Sequence, residues 1–258
     1  METIQPVWLS QSIYTRPNMD KLSFHSLNAD TLLIQWNSSV DQNLLYEIVH
    51  TENAIHENLS DVVLETYPAY TSIAVHYNPQ RIAANALAKA ITSCLAAPKR
   101  PMTFSEWQLP VCYDSTFASD LEPLAKAKNL TPETLIQKHS EPTYLVHFIG
   151  FLPGFLYLGG LPDTLHHPRK ATPDRAIASG AVAIGGSQTG IYPMESPGGW
   201  HVIGNCPISF FNPQGKPPCR IRPGDRVRFQ AISVETHRKL AREKNDVLNP
   251  IDTFQWDS

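Results

Sequence analysis

The chain has 258 residues, 42% of them hydrophobic, enough to bury a sizeable core as one large β fold or two smaller domains. A formal net charge of -3 provides no basic field over the molecule, which argues against nucleic acid or an anionic membrane as a partner. No run of about 18 apolar residues occurs, and METIQPVWLSQS has neither a basic nor a long apolar leader region, so a soluble, cytoplasmic protein is expected.

In chain order, LSFHSL and TLLIQW read as two strands around an Asn28-Ala29-Asp30 turn, with Leu32, Ile34 and Trp36 alternating onto one face. A helix is predicted from Asp41 to Ile55. DVVLETY and TSIAVHY then read as a second strand pair that places Ile73, Val75 and Tyr77 together. Asn78 and Pro79 read as the cap and first residue of a helix whose apolar face carries Leu87, Ile91 and Leu95. The order ββαββα predicts a small α+β domain over 1–97, with helices on one face of an antiparallel sheet.

Residues 98–107 read as a linker, because AAPKRP carries two prolines and two cations after a helix stop. The second domain, 108–232, is expected to open with a strand near Gln108 to Tyr113. A helix from Ser119 to Lys128 follows, and then one capped by Thr131 that ends near His139. From Tyr144 the pattern is strand, turn, strand through VAIGG, GIYPM, GWHVIG and DRVRF, as in an all-β barrel or sandwich. Residues 233–258 read as a charged helix, SVETHRKLAREKN, and a polar tail.

Glycine is unevenly spread. All 13 glycines, and 11 of the 22 prolines, lie between Gly150 and Gly224. The stretch HFIGFLPGFLYLGGL, at 147–161, reads as a strand to Phe148, a break at Gly150 to Gly154, and a strand again through Leu158. Gly150, Pro153, Gly154, Pro197, Gly198 and Gly199 are interleaved with Phe151, Phe155, Tyr157, Gln188, Tyr192 and Trp200 in weakly charged sequence. Two readings stand. Such loops bring backbone N–H groups up to a ligand with aromatic walls, or they are the tight turns of a barrel core.

Several nominal motifs fail. GGSQTG has phosphate-loop spacing, but Ile191 and Tyr192 stand where Lys and Ser/Thr belong. HENLS at His56 lacks the second histidine of a zinc motif. His166 and His167 are adjacent, so a strand would point them to opposite faces, and the four cysteines show no paired spacing, so no metal site and free thiols are expected. His139 shares the buried helical face of Leu135 and Ile136, as a core or capping histidine would. Arg220, Arg222, Arg226 and Arg228 read as a solvated strand face or an anion-binding stripe.

Taken together, GFLPGFLYLGGL, Pro168-Arg169, SGAVAIGGSQTGIYP, SPGGW, Ile203 to Pro207 and PGDRVRF resemble the family of the 5-oxoprolinase B subunit (PxpB), which includes the kinase inhibitor KipI and allophanate hydrolase subunit 1. The resemblance implies an α+β chain, with a ferredoxin-like N-terminal domain and a cyclophilin-like β-barrel. It implies a protein that works with subunits A and C of a hetero-oligomer to open the small lactam 5-oxoproline to glutamate. ATP, with Mg, would act at the level of the complex and not on this chain alone. Transfer of a phosphoryl group to the lactam oxygen would open the carbonyl carbon to water.

The ligand-facing surface is then expected at Gly150 to Tyr157, Gln188, Thr189, Tyr192, and Ser196 to Trp200. His139 and Tyr144 match the family's H(x)4Y spacing and take acid-base or carbonyl-orienting roles, with Arg169 as a bidentate holder of carboxylate or phosphate. Within the same family, the alternatives are a KipI-like inhibitor docking on a sensor histidine kinase and a urea or allophanate pathway component. The chain departs from the family at Asp174 and Asn205, where cations are usual.

Overall fold

The computed structural model of the protein describes residues 22–97, 101–243 and 249–256. The first part is an antiparallel sheet in the spatial order β1 (Leu22–Ser26), β2 (Thr31–Trp36), β4 (Ser72–Tyr77), β3 (Val63–Pro68), packed with α1 (Gln42–Leu59) and α2 (Ala84–Leu95). Alternation works as read from the sequence: Leu32, Ile34 and Trp36 of β2 and Ile73, Val75 and Tyr77 of β4 are buried, with Ile34 paired to Ile73. Asp41 caps α1, accepting the Leu44 N–H at 2.8 Å, a contact worth about 1 kcal/mol. The helix runs on past Ile55 because Leu59 continues the apolar stripe into the core.

Two predicted boundaries move. Asn78 does not cap α2; its side chain accepts the Gln80 N–H and its carbonyl the N–H groups of Arg81 and Ile82, making a separate turn ahead of the helix. The second strand system begins at Met102, so 102–107, expected as linker, form the first half of β5 (Met102–Val111). Residues 98–100 of the expected linker lie outside the described residues.

The second part is an eight-stranded sheet in the order β12 (His201–Asn205), β9 (Ala181–Gly185), β10 (Gln188–Ile191), β7 (Leu156–Gly159), β6 (Thr143–Ile149), β13 (Arg226–Ala231), β5, β14 (Asp252–Trp256). Only β13 and β5 run parallel among these pairs. The sheet curls until Cys112, just past β5, bridges Asn205 at the end of β12 through two backbone hydrogen bonds of 2.9 Å. One bridge is not a ladder. Among the described residues the expected closed barrel is therefore a curled, open sheet, in a chain of mixed α+β class. A small ribbon of β8 (Asp174–Ile177) and β11 (Ser196–Gly198) lies apart from it.

Helices α3 (Leu121–Ala127) and α4 (Pro132–Ser140) bury Leu121, Leu124 and Leu135 in the core of the curled sheet, and α5 (Val234–Glu243) follows β13. The expected polar tail contains β14, which pairs along β5. Phe254 of β14 lies 5.8 Å from the Phe104 ring, and Arg226 stacks 4.1 Å over Phe254. Two other arginines of the predicted stripe bind β5: Arg228 pairs with Glu106 at 2.6 Å and Arg222 donates to the Thr103 carbonyl. Arg220 and Arg222 lie in bends before β13, not on a strand.

The two parts share a seam. Leu45, Tyr46 and Val49 of α1 pack on Phe104 of β5. Beside it the fully buried Asp225 accepts the Ser105 N–H at 2.8 Å and the Trp107 indole N–H at 2.9 Å.

Candidate functional site

Two regions gather the predicted site residues. The first is closed. His139, Tyr144 and Thr189 are each 0% exposed. Ala183 offers only a carbonyl, so the Thr189 hydroxyl donates to it at 3.0 Å and must accept from His139 Nε2–H at 2.9 Å. That leaves His139 Nδ1 as an acceptor for the Tyr113 O–H at 2.8 Å. The Tyr144 hydroxyl donates to the His139 carbonyl at 2.7 Å, satisfying one end group of α4. Burial pushes the His139 imidazole down to about 3 and the Tyr113 and Tyr144 phenols up. His139 is thus a neutral core histidine stacked 4.7 Å from Phe229. The acid-base roles expected of His139 and Tyr144 lack the access that a substrate needs.

The second region is buried beneath and exposed at its rim: Phe155, Tyr192 and Trp200 are buried, Phe148 and Tyr157 half-buried, and Phe151 and Arg169 exposed. Phe155, Tyr157, Tyr192 and Trp200 meet ring to ring, with Phe155 5.6 Å and Tyr157 6.0 Å from Trp200, both edge-on. Tyr157 stacks on Phe148 at 4.3 Å, and Phe148 meets Tyr70 edge-on at 4.8 Å. Arg169, exposed, sits 5.6 Å over the Trp200 ring, an arrangement worth roughly 0.5–1 kcal/mol at an exposed site. The glycines make this packing possible. A Cβ at Gly185 would fall 2.5 Å from the indole of Trp200, so only glycine lets the ring lie flat on β9. Gly154, at φ +85°, would put a Cβ 2.7 Å from Phe211. Gly185 serves ring packing, and Gly154 serves a tight left-handed turn against Phe211.

Arg169 rides on a strap. The Lys170 N–H donates to the Gly199 carbonyl at 2.7 Å, His201 bonds the Pro168 carbonyl at 2.9 Å, and His167 and Gly186 exchange backbone hydrogen bonds. Lys170 Nζ is clamped by Asp120 at 2.8 Å and Asp174 at 2.6 Å. Asp174, where the family pattern has a cation, therefore neutralises the neighbour of Arg169. Asn205 is buried, taking a hydrogen bond from His237 at 2.7 Å and giving one to Ser179 at 2.9 Å, so it supports the sheet.

The remaining predicted residues flank this surface. Phe151 is 71% exposed at φ +66°, a strained backbone for a bulky residue, and stands edge-on to Phe155. Gly150 and Pro153 share its turn. Ser196, Pro197 and Gly198 form β11, Gly199 anchors the strap, and Gln188 opens β10, half-buried. Sequence reasoning missed Tyr70. Its ring comes from the β3–β4 turn and touches Phe148 and His147, at 4.8 and 5.2 Å, across the seam between the two parts. The Tyr70 hydroxyl is buried without a hydrogen-bond partner, a state costing about 1–3 kcal/mol. Nothing in the turn sequence signals that it faces a second sheet.

The GGSQTG stretch is the β9–β10 hairpin, not a loop between strand and helix, so this stretch is not a triphosphate loop. No metal-binding cluster of His, Cys, Asp or Glu occurs among the described residues, and no helix there is long and apolar enough to cross a membrane.

Residues 22–221 match the family described as carboxyltransferase domain, subdomain C and D. The chain is 34% identical over 239 residues to the 5-oxoprolinase B subunit of Bacillus subtilis, covering 87% of this chain and 99% of that protein. It is 48% identical over 128 residues to the Haemophilus influenzae protein of the same name, covering 50% of this chain and 60% of that one. Among solved structures, TTHA0988 superposes with TM-score 0.71 at 30% identity, over 79% of this chain and 40% of the other. The Kluyveromyces lactis urea amidolyase shares the fold, with TM-score 0.72 at 16% identity, over 91% of this chain and 16% of that one. The match to the Bacillus subtilis protein runs the length of that relative and spans both the aromatic surface and the strap, and on it the chain belongs to the 5-oxoprolinase B subunit (PxpB) family.

Proposed function

We propose that this chain is the B subunit of an ATP-dependent 5-oxoprolinase, acting in a cytoplasmic hetero-oligomer with subunits A and C. The observation that carries this reading is the end-to-end match to the Bacillus subtilis B subunit. The site geometry supports it. Half-buried Tyr157 and Phe148, beside an exposed arginine stacked on the buried Trp200, suit a small, flat-ringed carboxylate and leave a face for a partner to close. The ββαββα order with spatial order β1-β2-β4-β3 supports a ferredoxin-like first domain with permuted connections, and the curled sheet supports a cyclophilin-like second one.

ATP with Mg supplies the activation of the lactam at the level of the complex, and the GGSQTG hairpin of this chain does not have the strand-to-helix form of a triphosphate loop. The chain's own residues bind and orient. Arg169 pairs with the carboxylate of 5-oxoproline through two parallel N–H donors. Tyr157, backed by the buried Trp200 and Phe155, holds the ring and excludes water from one face. The overall reaction adds water across the lactam C–N bond to give glutamate.

The test is co-expression with subunits A and C and measurement of 5-oxoproline-dependent ADP release. Release that requires all three proteins is expected. An inert mixture, with this chain alone suppressing autophosphorylation of a sensor histidine kinase, overturns the reading in favour of a KipI-like inhibitor.

A further inference from the structure

The open surface has polar groups at two ends. At one end the Arg169 guanidinium lies over Trp200. At the other lies Tyr70, a residue of the first sheet set against Phe148 and His147 of the second. Between them the half-buried Phe148 and Tyr157 and the buried Trp200 make a continuous run of rings, the aromatic floor. The turn that carries Tyr70 is fixed: Gln35 Nε2 donates to the Thr71 carbonyl at 2.9 Å and its hydroxyl at 3.0 Å, and the Ala69 N–H donates to the Ser72 carbonyl at 2.8 Å. Native structures pair almost every buried hydroxyl, and one left closed to water without an acceptor marks a contact that something else completes. The group stays a donor, because burial holds the phenol in its protonated form, and both Tyr157 and Arg169 lie near enough to act on its ionisation.

We propose that Tyr70 is a substrate-binding residue supplied by the N-terminal domain, donating a hydrogen bond to a neutral carbonyl oxygen of a ring-bodied ligand whose carboxylate is held by Arg169. The inference rests on the lactam reading above and deepens it. The site recognises a bifunctional molecule, anionic at one end and carbonyl-bearing at the other, across the aromatic floor. The half-buried Tyr157 ring tilts to let such a ligand reach the hydroxyl, while Arg169 keeps its place over Trp200. Both parts of the chain then build one site, and the seam at Phe104 and Asp225 holds the two ends in register.

The test is a titration of the full chain, alone and with unlabelled partner proteins, in which 13C-labelled tyrosines are followed by NMR and Tyr70 is assigned from Y70F. Three probes are compared: 5-oxoproline, proline, which lacks the ring carbonyl, and 2-pyrrolidinone, which lacks the carboxylate. Saturating 5-oxoproline should shift the Tyr70 signal. Y70F, which keeps the ring on Phe148, should weaken 5-oxoproline binding about tenfold, one hydrogen bond to a desolvated group, and leave proline binding unchanged. R169A should weaken both acids and spare 2-pyrrolidinone. Y67F, on the exposed face of the same hairpin, is the control and should change nothing.

A Tyr70 signal unmoved by saturating 5-oxoproline in both preparations, or Y70F weakening both acids equally, overturns the assignment. ADP release measured in parallel separates the two readings. An active complex with an unmoved Tyr70 sinks the inference alone. An inert complex whose Tyr70 still responds to 5-oxoproline but not proline sinks the lactamase and supports the two-ended site.

Discussion

Thr189 within β10 and Tyr192 just past its end belong to regions built from similar residues and put to opposite uses. Around Thr189, histidine and tyrosines are fully enclosed and their main polar groups answer one another: Tyr113 to His139, His139 to Thr189, Thr189 to Ala183. Around Tyr192 the aromatics are packed, but the polar ends are left open, with Arg169 exposed and the Tyr70 hydroxyl unpaired. Aromatic and polar content alone does not make a site. What separates the two is whether hydrogen-bonding capacity is already spent inside the protein.

The sharpest way to break this contrast is His139→Ala. The variant leaves a ring-sized cavity and an unanswered Tyr113 hydroxyl, so urea unfolding should show a loss of about 3–4 kcal/mol. Full stability together with lost 5-oxoprolinase activity would move His139 to the functional side. Acid gives the next effect. His139 titrates near 3 in the fold because of burial, against about 6.5 unfolded. The unfolded chain therefore binds the extra proton between these values, and stability falls as pH drops through that window. At pH 4.5 the penalty is on the order of 2–3 kcal/mol. H139Q should remove that part of the pH dependence, which denaturation midpoints at pH 7 and 4.5 will read.

How far the sequence could be read follows the same division. The periodicity that put His139 with Leu135 and Ile136 pointed to a core histidine, and it is one. Spacing to Tyr144 led instead to a catalytic expectation, because H(x)4Y equally describes a helix-end carbonyl reached by a tyrosine on the next strand. Local features were legible: the Leu32, Ile34, Trp36 alternation, the Thr131 cap, and the break at Gly150 to Gly154. Pairings between distant segments were not. β14 finds β5, and Tyr70 finds Phe148, through contacts that leave no periodic trace in either partner. The glycine-rich stretches allowed two readings. At Gly185 the close contact is with the Trp200 ring, and at Gly154 a positive φ and the Cβ of Phe211 require glycine, so both serve the protein's own packing.

On the open side, Arg169→Ala should leave the urea midpoint where it is, since the side chain is exposed and bonds nothing in the interior. Its effect belongs in KM for 5-oxoproline, a rise of about twentyfold, or about 2 kcal/mol for a lost bidentate pair. Loss of stability without a KM change would make Arg169 a packing group over Trp200, and the contrast between the regions would fail.

The smallest effect tests the strap. Lys170→Met keeps the length of the side chain but removes the cation between Asp120 and Asp174. A half-exposed pair of bridges contributes only about 1 kcal/mol, and salt screens part of that. The stability change should therefore be small and shrink further in high salt. Two carboxylates left facing each other push the strap away from β11 and β12, however, and Asp120 also anchors the Val202 N–H beside Trp200. Arg169 then loses its fixed place over the indole, so KM for 5-oxoproline should rise about threefold while kcat holds. If KM stays fixed, Arg169 does not depend on its neighbour for position, and the open surface is held by Trp200 and Gly185 alone.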